Sequence, residues 1–262
     1  MRLQMIPAMN RNNTRLALAL ALLGLILGFA GESTRAADRL TGDDITATGG
    51  DVIIHPINHA TFAMAWGDKV IYADPVGGAR RFDGLPHPDL ILLTHAHGDH
   101  FSVETLQAVA GEKTMFVAPR SVAEKLPEKL RAQTVVMTNG ETKTVGGINI
   151  EAVAAYNTTP THLQFHPKGV GNGYVVTLDE KRIYVSGDTE DIPEMRALKN
   201  IDVAFICINQ PYTMTEEQAA GAVRAYKPKI VYPYHSRGSD LEKFKNLVGA
   251  DSGVEVRLRN WY

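Results

Sequence analysis

The feature that most constrains this chain is a histidine-rich run, Thr94–His100, with the sequence Thr-His-Ala-His-Gly-Asp-His. It directly follows Leu90–Leu93, a wholly apolar segment that is typical of a buried central strand. Because side chains alternate along a strand, His95 and His97 project to the same side at its end and can bind one cation together. The run therefore predicts a metal site at the end of a buried strand.

The same run also offers ligands for a second cation. A turn at Gly98 lets Asp99 and His100 face a neighbouring position, and the ions of two-metal sites lie about 3.5–4 Å apart. The chain has one cysteine, Cys207, so thiolate-based zinc sites are excluded and histidine and carboxylate must hold any metal. Imidazole with carboxylate favours Zn²⁺ first, then iron or Mn²⁺. We therefore expect two Zn²⁺ ions per chain, with Mn²⁺ or iron as the alternatives.

One segment cannot complete two metal sites, so further ligands are expected at the ends of other strands. Asp188 follows the predicted strand Ile183–Val185 beside a glycine. A carboxylate there can bridge two cations, although an isolated aspartate at such a position is also typical of a turn or a helix cap. His235 ends the predicted strand Ile230–Tyr234 and opens a glycine-containing turn, so it can reach the same site.

In their order and rough spacing, these motifs resemble the metallo-β-lactamase-fold hydrolase superfamily. The motifs that carry the resemblance are Thr94–His100, Ser186–Thr189, Tyr234-His235 and the earlier Asn58-His59-Ala60-Thr61. The last of these resembles the branch that includes N-acyl-phosphatidylethanolamine phospholipase D and the L-ascorbate-6-phosphate lactonase. The resemblance covers about Asp51 to Ser236, and it implies an α+β fold, a four-layer αββα sandwich with a dinuclear site at one edge.

The resemblance also implies a role for each candidate ligand. The implied ligands are His95 and His97 for the first metal, Asp99, His100 and His235 for the second, and Asp188 as a bridge between them. Asp99 and Asp188 are the expected catalytic residues, with Asp99 as a candidate acid that protonates the leaving group. His59, in the earlier motif, is expected either to line the pocket or contact a ligand, or to be a buried structural histidine.

The chain departs from the common pattern at the third histidine of the first metal. The superfamily often places this histidine in a Gly-His or Phe-His step at the end of a strand, whereas the predicted strand Ile148–Ala155 runs into Tyr156-Asn157. His162 and His166 follow, and either could substitute. We favour His166, because its His-Pro-Lys-Gly context resembles a step in relatives of this branch and the proline stiffens it.

Two cations that share a water lower its pKa enough to give hydroxide near neutral pH. The predicted function is a hydrolase whose metal-bound hydroxide attacks an ester, a lactone or a phosphodiester. The chain has no Gly-x-Ser-x-Gly nucleophile motif, which favours attack by metal-bound water over covalent catalysis. One alternative is a metal-dependent (class B-type) β-lactamase, against which the Asn58–Thr61 motif and the Tyr-Pro-Tyr-His step argue. The other is a non-catalytic metal-binding protein, which would need lost ligands or a blocked pocket.

Composition and charge limit the classes of molecule that this protein is expected to bind. Lys and Arg total 27 against 29 Asp and Glu, a formal net charge of −2, so no basic excess exists to bind nucleic acid. A small-molecule substrate is expected instead. Three cations near the predicted site loops, Lys168, Arg237 and Lys243, would suit an anionic substrate, although solvated surface charge explains them equally well. The sequence gives no indication of oligomeric state.

Residues 1–36 have the layout of a secretory signal peptide. Three arginines precede the uncharged run Leu16–Gly31. Its 16 residues fall short of the roughly 20 that a spanning helix needs. We expect cleavage after Ala36 or Ala30, an exported periplasmic protein without stable membrane insertion, and a hydrolase domain over residues 38–262. The alternative is an uncleaved N-terminal anchor.

The rest of the chain alternates strand and helix patterns. Gly67-Asp68 between two apolar runs predicts a hairpin turn. Ser102 is expected to cap a helix that continues through about Ala110. Thr215 with Gln218 predicts a capping box at the start of another helix.

Overall fold

The computed structural model describes residues 40–262, so the expected signal peptide lies outside the described residues. Within residues 40–262, no helix combines the length and the apolar character that a membrane span requires. The strands are β1 Asp43–Ile45, β2 Val52–Asn58, β3 Thr61–Trp66, β4 Lys69–Ala73, β5 Leu90–Leu92, β6 Met115–Ala118, β7 Thr134–Val136, β8 Thr142–Val145, β9 Ile148–Ala155, β10 Gly171–Leu178, β11 Lys181–Val185, β12 Val203–Cys207, β13 Ile230–Tyr234 and β14 Glu255–Val256. The α-helices are α1 Val103–Val109, α2 Arg120–Ala123, α3 Glu128–Ala132, α4 Pro193–Arg196, α5 Glu216–Tyr226 and α6 Leu241–Val248.

The strands form two mixed sheets of seven strands each, one with the order β1 to β7 and the other with the order β14 to β8. In the first sheet β1 to β4 pair antiparallel and β4 to β7 pair parallel. In the second sheet β8 to β11 pair antiparallel and β11 to β14 pair parallel. Consequently β2, β4 and β5 run in one direction in the first sheet, as β9, β11 and β13 do in the second. Within each sheet, the loops that follow those strands leave from the same edge.

The alternation of side chains along the strands separates two apolar cores. Along β3, Phe62 and Met64 belong to the larger core, whereas Ala63 and Ala65 belong to the smaller one. The smaller core joins the outer face of the first sheet to apolar side chains of α1 to α3, which are Leu106, Val109, Val122 and Leu130. Apolar side chains of α4 to α6, among them Met195, Val223 and Phe244, belong to the larger core. The result is the predicted four-layer αββα sandwich.

The predicted turn and helix starts are confirmed. The β3–β4 hairpin turns at Gly67-Asp68, with Trp66 paired to Lys69. The Ser102 hydroxyl accepts the Thr105 N–H at 3.2 Å and begins α1. Thr215 and Gln218 form the reciprocal capping box of α5, which satisfies two backbone N–H groups at the helix start.

The short edge elements were not predicted. The strand β1 has three residues and β14 has two, which is too short for a periodic pattern to reveal them. They form because a neighbouring strand offers backbone partners, as β13 does for β14. After β14 the chain leads to Trp261, whose buried indole lies 6.2 Å from the Phe62 ring and 6.0 Å from the Tyr234 ring.

Candidate metal centre

The candidate ligands converge on one edge of the sandwich because each follows a strand of the same direction in its sheet. His95, His97, Asp99 and His100 lie in the loop after β5, and His166 lies in the loop after β9. Asp188 follows β11 and His235 follows β13. The structure therefore brings together all seven residues that were predicted from the sequence as ligands.

One group of ring nitrogens surrounds a first position. His95 Nε2 lies 3.1 Å from His97 Nδ1. His166 Nε2 belongs to the same group, with donor atoms of all three residues within 4.8 Å of one another. Asp188 Oδ2 lies 3.3 Å from His166 Nε2 and 3.8 Å from His95 Nε2. Three imidazoles and one carboxylate thus face a common point.

A second group lies on the other side of Asp188. His235 Nε2 is 3.3 Å from Asp99 Oδ2 and 3.3 Å from Asp188 Oδ2. His100 Nε2 is 3.3 Å from Asp188 Oδ1. Asp188 is therefore within reach of both groups, as a bridging carboxylate requires. His59 Nε2 also lies with this group, 3.2 Å from Asp99 Oδ2.

The two candidates for the third histidine have different surroundings. His162 turns away from the centre, and its Nδ1 lies 3.1 Å from Glu190 Oε1. His166 is buried and joins His95 and His97. Shortly after β9 the chain has Asn157, whose amide oxygen lies 2.8 Å from His166 Nδ1. Asn157 therefore orients the ring of His166.

The loop that carries His166 is organised around Glu190, a residue that sequence reasoning missed. One oxygen of this buried carboxylate accepts the backbone N–H groups of Thr158 and Thr159 at 2.8 and 2.7 Å. Burial would raise the pKa of Glu190, but these hydrogen bonds, with those from the Thr158 hydroxyl and His162, lower it to about 2. The ionised carboxylate thus shapes the loop between β9 and β10. No local sequence motif indicates this role.

Hydrogen bonds on the outer ring nitrogens leave inner nitrogens free for a cation. His100 Nδ1 donates to Asp74 Oδ2 at 2.8 Å, and His166 Nδ1 donates to Asn157 Oδ1. His100 Nε2, His166 Nε2 and Asp188 Oδ1 are buried and have no hydrogen-bond partner within residues 40–262. Buried polar atoms without partners are costly, and cations held by the two groups would satisfy all three. The residues therefore fit a bound metal.

Asp74, which follows β4, orients two of the histidines at once. Its Oδ1 accepts the Thr94 N–H at 2.8 Å, and its Oδ2 accepts the Thr94 hydroxyl at 2.6 Å. Since the Thr94 hydroxyl donates to Asp74, it accepts from His95 Nδ1 at 3.0 Å. With the direct bond to His100, one carboxylate fixes the rings of His95 and His100, as the outer partners of metal ligands commonly do.

The electrostatics of the centre match a metal site. Burial lowers the pKa of His95 well below its usual value and also lowers the pKa of His97. Burial would raise the pKa of Asp188, but His235, His100 and His166 hold that pKa well below its usual value. Neutral imidazoles at His95 and His97 beside the ionised Asp188 are the protonation state that metal binding requires. Burial would lower the pKa of His100, but Asp188 and Asp74 instead raise it well above its usual value, so a bound cation would displace a proton from this ring.

The backbone around the centre is strained. His59, Asp74 and His235 have positive φ values of 55°, 40° and 45°. The left-handed conformation costs an L-residue about 1 kcal/mol, and such strain clusters at functional sites. Beside Asp188, Gly187 has a φ of 60°, and a Cβ there would lie 3.0 Å from Thr94 Cβ. The turn that presents Asp188 therefore requires glycine.

An open cleft of about 550 Å³ lies over the centre. Besides ligands, its lining includes Asn58, Val76, Phe165, Asn209, Tyr212 and Arg237. A smaller cavity of about 200 Å³ reaches His95 and His97 between the loop that follows β5 and the loop that follows β9. Of the three cations near the site, Lys168 pairs with Glu194 and Lys243 with Glu217, whereas Arg237 lines the larger cleft.

Comparison with known proteins found a matching family and several similar proteins. Residues 54–235 match the family described as "Beta-lactamase superfamily domain". A UPF0173 metal-dependent hydrolase of Pyrococcus abyssi is 34% identical over 216 residues, which cover 76% of this chain and 93% of the relative. Among solved structures, a proposed metal-dependent hydrolase of Parabacteroides distasonis is 40% identical, with a TM-score of 0.77, over 84% of this chain and 98% of that one. The fold also resembles Igni18, a metallo hydrolase of Ignicoccus hospitalis, at 24% identity and a TM-score of 0.68 over 80% of this chain and 95% of that one.

Proposed function

The chain belongs to the metallo-β-lactamase superfamily as a metal-dependent hydrolase, and from this premise we propose that it binds two Zn²⁺ ions and cleaves an ester, a lactone or a phosphodiester. The two groups of histidines on either side of Asp188 support a dinuclear site. Imidazole with carboxylate, and no thiolate, is a donor set that favours Zn²⁺ over Mn²⁺ and iron.

The proposed ligands follow from the two groups. They are His95, His97 and His166 for the first ion, Asp99, His100 and His235 for the second, and Asp188 for both. When bound, the ions would supply a nucleophilic water of lowered pKa and stabilise the oxyanion that develops on the substrate.

The two carboxylates have different surroundings and therefore different proposed roles. The Asp188 side chain is 3% exposed and is enclosed by histidines, so it holds the ions. The Asp99 side chain is 50% exposed and lines the cleft, so it can exchange a proton with a bound substrate. Burial would raise the pKa of Asp99, but His235 and His59 hold it well below its usual value, so the carboxylate is ionised and must accept a proton before it donates one. We assign to Asp99 the transfer of a proton from the attacking water to the leaving group.

The walls of the cleft suggest features of the substrate. Phe165 and Tyr212 meet edge to face with ring centroids 5.0 Å apart and offer an apolar wall. Arg237 is stacked on the Tyr262 ring at 5.0 Å and has no carboxylate partner within the described part of the chain. A substrate with an apolar group and an anionic group would suit these walls.

A panel of four chromogenic or titratable substrates tests the reaction class. We would assay the zinc-loaded protein with 4-nitrophenyl acetate, γ-butyrolactone, bis(4-nitrophenyl) phosphate and the β-lactam nitrocefin. We expect turnover of at least one of the first three, its loss with chelator and its return with Zn²⁺. Turnover of nitrocefin alone would favour the β-lactamase alternative, and no turnover by a protein that holds two ions would favour the non-catalytic one.

We also propose that residues 1–36 direct export to the periplasm. The three arginines followed by an uncharged run support this proposal. N-terminal sequencing of the protein from cell fractions tests it. A periplasmic form that begins at Ala37 or Gly31 would support export, and an intact chain in the membrane fraction would support the uncleaved anchor.

A further inference from the structure

A chain of hydrogen bonds outside the ligand set ends on Asp99. The Ser236 N–H donates to the Tyr262 hydroxyl at 2.8 Å. That hydroxyl lies 2.9 Å from His59 Nδ1, and His59 Nε2 lies 3.2 Å from Asp99 Oδ2. These hydrogen bonds thus connect Ser236, the neighbour of His235, with Asp99. His235 and Asp99 both belong to the second group of candidate ligands.

The chemistry of the donors fixes the direction of these bonds. The ionised Asp99 carboxylate can only accept, so His59 Nε2 donates to it. Nδ1 of the neutral ring is left to accept the Tyr262 hydrogen, while the Tyr262 oxygen accepts from Ser236. A neutral imidazole that accepts at Nδ1 carries its single hydrogen on Nε2. His59 therefore directs an N–H, and not a lone pair, toward Asp99 Oδ2. We therefore place His59 outside the proposed ligand set, although its Nε2 lies among the candidate ligand atoms.

Backbone contacts hold His59 in this place. Its N–H donates to the Trp261 carbonyl at 2.8 Å, and its own carbonyl accepts the His235 N–H at 3.1 Å. The adjacent Trp261 is buried against the Phe62 ring. Three segments that are distant in sequence are therefore joined: the β2–β3 turn, the loop after β13 and the segment that ends at Tyr262.

We propose that Tyr262 and His59 are positioning residues for the second metal ion. Tyr262 fixes the ring hydrogen of His59 on Nε2, and His59 then holds the Asp99 carboxylate in the orientation in which it binds the ion. The proposal rests on the proposed dinuclear function for its effect on metal binding, whereas the position of the His59 hydrogen can be measured without metal.

The first experiment is long-range ¹H–¹⁵N correlation spectroscopy of the metal-free protein, with His59 assigned by comparison with His59→Gln. We expect the hydrogen on Nε2 in the wild type and a shift toward the Nδ1–H form in Tyr262→Phe, which keeps the ring and loses the hydroxyl. Tyr72→Phe is the matched control, because its hydroxyl donates to the Pro86 carbonyl at 2.7 Å elsewhere in the fold. A hydrogen on Nδ1 in the wild type would overturn the proposal.

The second experiment follows Co²⁺ binding through its visible spectrum. Removing an outer partner of a metal ligand typically weakens binding about 10–100-fold, so His59→Ala should weaken one of two ions by at least about tenfold and spare the other, and Tyr262→Phe should weaken the same ion. His59→Gln, which keeps a side-chain N–H, should bind better than His59→Ala. Unchanged binding in Tyr262→Phe, or a spectrum of His59→Ala that shows one nitrogen ligand fewer, would overturn the proposal. A wild-type protein that binds one ion would contradict the dinuclear function instead, and the spectroscopy of His59 would still decide the hydrogen-bond chain.

Discussion

The loop after β5 and the loop after β9 both bring candidate ligands to the proposed metal centre, but they are built differently. The loop after β5 carries four candidate ligands within six residues, and His95 and His97, two positions apart in this loop, have ring nitrogens that meet at 3.1 Å. The loop after β9 contributes only His166, and a buried carboxylate from another segment, Glu190, organises it. Local geometry builds the first loop, and long-range hydrogen bonds build the second.

The two loops should therefore respond differently to substitutions. Changes in the loop after β5 should act directly on the ions, because the residues there are proposed ligands. Changes around the loop after β9 should act through the position of one histidine, so their effects should be smaller and should depend on pH where Glu190 is involved.

The largest effect is expected for His97→Ala. It removes a proposed ligand of the first ion, and turnover of the zinc-loaded protein should fall by more than about 100-fold, beyond the loss typical of an outer partner. Steady-state kinetics on whichever ester, lactone or phosphodiester the wild type cleaves measures it. His87→Ala is a suitable control, since His87 Nδ1 lies 2.9 Å from the Val109 carbonyl and lines neither cavity at the centre. Equal activities in wild type and His97→Ala would contradict the role of this loop.

Asp74→Asn should have the next largest effect. The amide keeps the size of the side chain but cannot accept at both oxygens from Thr94 and His100, so the rings of His95 and His100 lose their orientation. We expect zinc affinity to fall about 10–100-fold. A competition titration against a chromogenic chelator measures this affinity. An affinity within twofold of the wild type would show that Asp74 has only a structural role in the turn after β4.

Glu190→Gln should weaken zinc binding by about tenfold, at the lower end of the range for outer partners. The amide accepts fewer hydrogen bonds from Thr158, Thr159 and His162, and the position of His166 should loosen. The same titration measures it, with Asp191→Asn as the control, because the neighbouring Asp191 pairs with Arg196 instead. If both variants bind zinc like the wild type, the loop after β9 does not depend on Glu190.

The pH dependence of stability gives a second test of the role of Glu190. The pKa of Glu190 is about 2 in the folded protein against an ordinary 4.5, so its ionised form favours folding above about pH 4.5. This contribution disappears as the pH falls from 4.5 toward 2. Thermal unfolding of the metal-free proteins between pH 7 and pH 3 should therefore show a larger fall in Tm for the wild type than for Glu190→Gln. Parallel curves would contradict the assignment.

The smallest effect is expected at the cleft mouth. Arg237→Gln should lower the ratio of kcat/KM for mono(4-nitrophenyl) succinate to that for 4-nitrophenyl acetate by about tenfold, the value of one hydrogen bond to a charged group. Lys168→Gln is the control, because Lys168 is already paired with Glu194. An unchanged ratio would show that Arg237 does not bind the anionic group of the substrate.

The sequence predicted what local chemistry controls. The meeting of His95 with His97, the cap at Ser102 and the capping box at Thr215 all depend on residues that are close in sequence. The surroundings of the centre depend instead on contacts between distant segments. Glu190 meets Thr158 across 32 positions, and Tyr262 meets His59 across 203. No periodic pattern or short motif can reveal such pairs, so their roles required the folded structure.

The most direct test of the dinuclear account is elemental analysis of the purified protein beside its His166→Ala and His162→Ala variants. We expect about two zinc ions per chain in the wild type and in His162→Ala, and fewer in His166→Ala. Equal zinc in the wild type and His166→Ala with a loss in His162→Ala would contradict the assignment of the third histidine. No metal in the wild type after reloading with Zn²⁺ or Mn²⁺ would contradict the metal centre itself.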